Sequence, residues 1–268
     1  MKLKLFFWLA LVLIVPAQHT QAHELLPAVI VNYMAEHPNA TPEEIKAFAA
    51  TQDPVVTQAI AKKSSKDLID IVKNQDSSYL DTGLDFIQLG IKHILSGPDH
   101  ILFVLSLLLV FVSVRNLLKL VTSFTVAHSL TLILAGTGVL VLSSTVVEPF
   151  IALSIAIMAI ASVFFKDHPL MSKHSGKLGL VFFFGLFHGL GFAGLLKEIA
   201  VPENKFALSL LSFNIGIEFG QLIIVALVVP FIFCFRHKAW FDTVIRVTAV
   251  LIAVAGFTWF FERLTVLF

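Results

Sequence analysis

Gly90-Ile91-Lys92-His93-Ile94-Leu95-Ser96-Gly97-Pro98-Asp99-His100 places two histidines and an aspartate within a mainly apolar run. On one straight helix His93 and His100 would stand about 10.5 Å apart along the axis, at about 1.5 Å per residue, too far for a single ion to touch both. Pro98 lacks a backbone N–H and its ring collides with the carbonyl four residues back, while Gly97 is a poor helix former. The run therefore predicts a helix broken at Ser96-Gly97-Pro98. A break shortens the distance between flanking side chains and frees carbonyls, which is how discontinuous membrane helices build ion sites. His93 then ends one half-helix, and Asp99 and His100 begin the next. Ser96 and Asp99 also have capping-box spacing, so Asp99 reads either as a metal ligand or as a cap.

The surroundings of this run are not those of a soluble globule. Of 268 residues, 57% are hydrophobic and 14% charged, against about 45–50% and about 25% in soluble domains. The surplus apolar surface must face lipid. From Gly83 onward six apolar stretches follow one another, at 84–113, 117–139, 146–165, 178–197, 206–235 and 240–262, each long enough for the roughly 20 residues of a crossing. Arg115 and Lys119, then Lys166, Lys173 and Lys177, then Arg236 and Lys238 fall after the first, third and fifth stretches. The positive-inside rule puts those joints in the cytoplasm and both ends of the mature chain outside. The expectation is an all-α polytopic protein of the bacterial inner membrane with six transmembrane helices over 84–268.

The N-terminus agrees with that orientation. Lys2 and Lys4 precede an apolar run from Leu5 to Val15, and small residues stand near Ala22, which predicts a signal peptide at 1–22. Residues 23–83 carry half of the chain's acidic side chains and no long apolar run, so they read as a small helical periplasmic domain. Thr41-Pro42-Glu43-Glu44 has the cap, proline and glutamate of a helix start, and Ser64 and Asp67 repeat the spacing. Net charge is +1, which gives no footprint for nucleic acid. The lone Cys234 excludes an internal disulfide and a cysteine-built metal cluster. No G-x-x-x-x-G-K-[ST] string is present, so no nucleotide is expected.

Ionisable groups at membrane depth are expensive and mark function. Beside His93, Asp99 and His100 these are His128, Glu148, His188 and Glu218. Thr125, His128 and Ser129 share a helical face, where His128 reads as a helix-to-helix hydrogen bond or as a ligand. Gly185, Gly189 and Ala193 form a ridge of small residues beside His188, suited to close backbone approach. Asn214, Glu218 and Gln221 recur at i, i+4 and i+7 on one face, where a carboxylate can pair with a cation. Glu148 sits just before Pro149 near a helix end and reads as solvated or capping. His168 and His174 fall in a basic joint and read as solvated. Imidazole suits nickel, cobalt, zinc and copper(II), whereas copper(I) prefers thiolate and thioether. A divalent first-row ion fits the set His93, Asp99, His100, His128, His188 and Glu218.

His93-x5-Asp99-His100 in a Gly-rich first span, followed by Phe187-His188-Gly189 in the fourth, resembles the HupE/UreJ family of hydrogenase- and urease-accessory membrane proteins regarded as nickel permeases. Phe124-Thr125-Val126-Ala127-His128-Ser129-Leu130-Thr131 and Phe213-Asn214-Ile215-Gly216-Ile217-Glu218 are similar to a second branch of that family. The resemblance covers about residues 84–265. It implies a permease rather than an enzyme, with nickel or cobalt favoured as substrate and zinc possible, since Ile94 stands where nickel-assigned members carry a proline. The expected partners are membrane lipid, the metal ion and an exported metal-handling protein. The same histidine and carboxylate set would also serve an intramembrane zinc hydrolase with an open metal position. A bis-histidine haem protein is a third reading.

Overall fold

The computed structural model describes residues 28–37, 40–52, 54–61, 79–109, 113–140, 142–192 and 205–267. Among them every regular element is helical. The expected signal peptide and the helix start at Ser64 lie outside the described residues.

Three short helices come first, α1 (Ala28–Glu36), α2 (Pro42–Ala50) and α3 (Pro54–Ala61). The sequence-predicted capping box forms at α2: Glu44 N–H donates to Thr41 Oγ1 at 3.3 Å and Thr41 N–H donates to Glu44 Oε2 at 2.8 Å. Pro42 takes the first turn, where its missing N–H is no loss. Ile30, Met34, Ile45, Ala49 and Ile60 close a small core of their own.

The cap carries a pH signature. The backbone bond from Thr41, then that residue's hydroxyl, holds the Glu44 carboxyl below the ordinary carboxylate range. Folding thus favours the charged form, so this contribution is complete above the ordinary carboxylate pKa and is lost as pH falls through the lowered folded value. Amide exchange at α2, corrected for its intrinsic pH dependence, should lose protection on acidification in the full chain. Glu44→Ala should have lost that protection already at neutral pH; equal protection in the two proteins would deny the cap its role.

The remaining helices are α4 (Tyr79–Ser96), α5 (Pro98–Leu108), α6 (Val114–Gly136), α7 (Ser144–Phe164), α8 (Pro169–Ser172), α9 (His174–Gly191), α10 (Phe206–Phe235) and α11 (Phe241–Leu264). Helices α6, α7, α10 and α11 are each long and apolar enough to cross a membrane, and α4 with α5 makes a further candidate bent by 71° at the break. The 18 residues of α9 include His174, Lys177 and His188 and fall outside that set. Helix α4 begins before the apolar stretch expected at 84, because Asp81 and Asp85 mask its first turns from a hydropathy reading.

Three helix pairs build the domain: α4 on α10, α6 on α9, and α7 on α11. Each seam has a glycine pressed on a neighbouring backbone: Gly90 against Phe213 and Gly216, Gly185 against Phe124, and Gly256 against Ala152 and Ala156. Small residues are what apolar helices need to interlock when burial itself drives nothing in lipid. Polarity is arranged to match. Helix α6 buries Thr125, His128 and Thr131 and exposes Val126, Leu130 and Ile133; α10 buries Ser209, Ser212, Asn214 and Gln221 and exposes Leu211, Ile215, Phe219 and Leu227. Polar-inside, apolar-outside helices belong in hydrocarbon.

Candidate functional site

Helix α4 ends with Gly97 N–H donating to the His93 carbonyl at 3.0 Å, and α5 starts with Ile101 N–H donating to the Gly97 carbonyl at 3.1 Å. Pro98 occupies the first turn of α5. The 71° bend folds α5 so that the His93 and His100 rings stand 4.5 Å apart between centroids. Only a residue without Cβ suits the corner, because a Cβ on Gly97 would lie 2.8 Å from the His93 carbonyl oxygen and 2.9 Å from His100 Cδ2. The capping box expected from Ser96 and Asp99 is not made. Gly97 is the N-cap, with no side-chain cap bond, and Ser96 Oγ donates back to the Lys92 carbonyl.

Two further imidazoles join this pair. His128 of α6 lies 6.3 Å from His93 and 6.2 Å from His100, and His188 of α9 lies 5.3 Å from His100. His100 is therefore the hub, in contact with all three others. Phe103, Phe124, Phe192 and Phe213 wall the group in. His93 Nε2, His100 Nδ1, both nitrogens of His128 and His188 Nδ1 are buried without a hydrogen-bond partner. Buried polar atoms are nearly always satisfied, so five orphaned ring nitrogens on four neighbouring rings form an unusual concentration of lone pairs and N–H donors. The rings meet tilted or edge-on. As they stand, no three His, Cys, Asp or Glu groups among the described residues are arranged to hold an ion.

One ring has its tautomer set. Ser154 Oγ lies 2.6 Å from the Ile151 carbonyl and donates its only proton there. The same oxygen is 3.0 Å from His188 Nε2 and must accept from it. His188 Nδ1 is then the unprotonated nitrogen, buried and without a partner. Oxygen partners of this kind orient ligating imidazoles, and losing one typically costs about ten- to hundredfold in metal affinity. Ser154→Ala should lower the affinity for any metal ion that His188 holds by about tenfold, by that same precedent, with little change in melting temperature; unchanged affinity by calorimetry would remove Ser154 from the site.

The two predicted carboxylates are engaged elsewhere. Arg263 Nη2 donates to both oxygens of Asp99, at 2.9 and 3.2 Å, and Arg263 Nη1 donates to the Glu148 carbonyl at 3.2 Å. Glu148 Oε2 stands 3.9 Å from Arg263 Nε. Arg263 thus ties α11 to α5 and α7. Glu218 Oε1 accepts from Thr122 Oγ1 at 2.7 Å, and Gln221 Oε1 accepts from Thr125 Oγ1 at 2.9 Å, which ties α10 to α6.

His174 departs from its reading as a solvated joint residue. Its Nε2 is buried and unpartnered, at the wall of a cavity of about 150 Å³ that Ser162, Met158, Met171 and Lys177 also line. Ser162 follows Ser154 on α7 by eight residues, about 12 Å along the helix. These two serines are the only polar side chains of α7 after Pro149, and that is the signal that would have found both.

Residues 70–263, well over half of the chain, match the family profile described as HupE / UreJ protein. The chain matches no curated protein and no solved structure.

Proposed function

The chain belongs to the HupE/UreJ family, and from that premise we propose that it is a permease whose substrate is a divalent transition-metal ion, nickel or cobalt, handed through the four-imidazole cluster. The observation that carries this reading is the set of buried, unpartnered nitrogens on His93, His100, His128 and His188. Neutral imidazole is a ligand for first-row divalent ions and a poor one for alkali cations. A transit site also has to release its cargo, and the His128 ring, with neither nitrogen partnered, can turn between ligating and non-ligating poses. The bent pair α4–α5, with α6, α7, α9, α10 and α11, then makes six crossings of the inner membrane. The seven basic residues of the odd-numbered joints lie in the cytoplasm, and a periplasmic N-terminal domain follows a cleaved signal peptide. His174 and its cavity lie on the cytoplasmic side in this orientation, about 21 Å along α9 from His188 at about 1.5 Å per residue.

The purified protein in proteoliposomes should accumulate radioactive nickel or cobalt saturably, above protein-free liposomes and above zinc. An intramembrane zinc hydrolase would retain its metal and move none. Absence of accumulation for all three ions would overturn the permease reading.

A further inference from the structure

The two halves of the membrane domain share a register. Gly90-Ile91-Lys92-His93 in α4 matches Gly185-Leu186-Phe187-His188 in α9, and each histidine is residue 15 of an 18-residue helix. Ser123-Phe124-Thr125-Val126-Ala127 in α6 matches Ser212-Phe213-Asn214-Ile215-Gly216 in α10. The contacts repeat with the sequence. Gly90 abuts the backbone of Phe213 and Gly216, as Gly185 abuts the backbone of Phe124 and the Cβ of Ala127. Seven residues earlier, a Cβ on Gly83 would sit 3.4 Å from Ser212 Oγ, and Ser123 Oγ donates to the Leu178 carbonyl at 3.3 Å. Beyond the histidines, Gly220 abuts Ile94 and Gly189 abuts Thr131. The third helices, α7 and α11, pack on each other, as a two-fold axis between the halves requires. Apolar helices that resembled one another by chance would not hold one register through three separate pairs of contacts.

We infer that residues 79–164 and 174–264 are two copies of one three-helix unit, the first helix of each packed on the second helix of the other, with His93 and His188 as equivalent ligands about the axis. With three crossings per unit the copies run in opposite senses through the membrane, so the imidazole cluster lies between inverted repeats, where transporters hold a fixed site and rock two halves around it. The site itself is unequal. Ile217, fully buried, stands in the second copy where the first has His128, so the first copy supplies both further imidazoles, His100 and His128, and sets what the site ligates.

This inference rests on the permease reading for its mechanism but not for its architecture, and the two parts are tested separately. In full-length protein with Cys234→Ser, Leu80→Cys and Ser175→Cys mark the second residue of α4 and of α9, both exposed positions. A membrane-impermeant maleimide should label the first only from the outer face of sealed vesicles and the second only from the inner face. Labelling of both from one face overturns the inverted duplication, whether or not any metal moves. For the mechanism, disulfides in Gly83→Cys/Ser212→Cys and in Ser123→Cys/Leu178→Cys pin equivalent seams at opposite faces. Each should cut nickel or cobalt flux by about tenfold or more, since rocking is the transport step, with recovery under a reductant. Undiminished flux through both cross-linked forms overturns the rocking of the two units.

Discussion

His100→Gln should reduce nickel or cobalt flux into proteoliposomes by about a hundredfold, the upper end of what loss of a supporting contact already costs at metal sites. Glutamine keeps most of the ring's volume, so the effect is one of donor chemistry rather than of a cavity. The size follows from position. The His100 ring is 4.5 Å from His93, 5.3 Å from His188 and 6.2 Å from His128, so on the proposed route it is the ring that links His188 to His93 and His128. Removing it leaves His93 and His128 6.3 Å apart between centroids and separates His188 from both. His128→Gln, at the rim of the group, should cost less. The measurement is initial flux at subsaturating metal, beside melting temperature in detergent as a check on folding. If His100→Gln transports like the parent while melting like it, the cluster is a packing feature and the substrate crosses elsewhere.

Local chemistry in the sequence reached some parts of this architecture and not others. The corner at Gly97-Pro98 was legible because a missing N–H and a missing Cβ act within one turn, whatever surrounds them. The glycine ridge on α9 was legible for the same reason, since small residues at helical spacing describe a surface before its partner is known. Partners were not legible. Asp99 reads as ligand or cap from its neighbours, and what decides its role is Arg263, 164 residues away on the last helix. The polar face of Asn214, Glu218 and Gln221 is real, but its bonds run to Thr122 and Thr125 on α6, a pairing that only the crossing of the two helices creates. Four histidines on four helical segments signal buried function one at a time. That they meet at His100 depends on the bend angle and on which helices pair, and neither is written in any single segment.

Gly90→Ala should destabilise the membrane domain by about 1–3 kcal/mol or more, the range for forcing extra volume into a close-packed seam, whereas Gly179→Ala should be neutral or gain up to about 1 kcal/mol in helix propensity. The contrast comes from what the new methyl meets. At Gly90 it meets only backbone of α10: the Phe213 carbonyl oxygen, Ile217 N at 2.9 Å and Gly216 C at 3.0 Å. No side chain there can swing aside, so α4 and α10 must part as rods. At Gly179 nothing lies within 4 Å. Parting α4 from α10 also shifts His93, one turn beyond Gly90 on the same helix and 5.5 Å from the Phe213 ring. Gly90→Ala should therefore lose flux as well as stability, and Gly185→Ala, against the Phe124 carbonyl at 2.8 Å, should do the same through His188. Thermal melting in detergent beside flux in proteoliposomes checks both. A Gly90→Ala protein that melts no lower than Gly179→Ala would mean that the α4–α10 backbones do not touch, and with that contact goes the seam that holds His93 in the cluster.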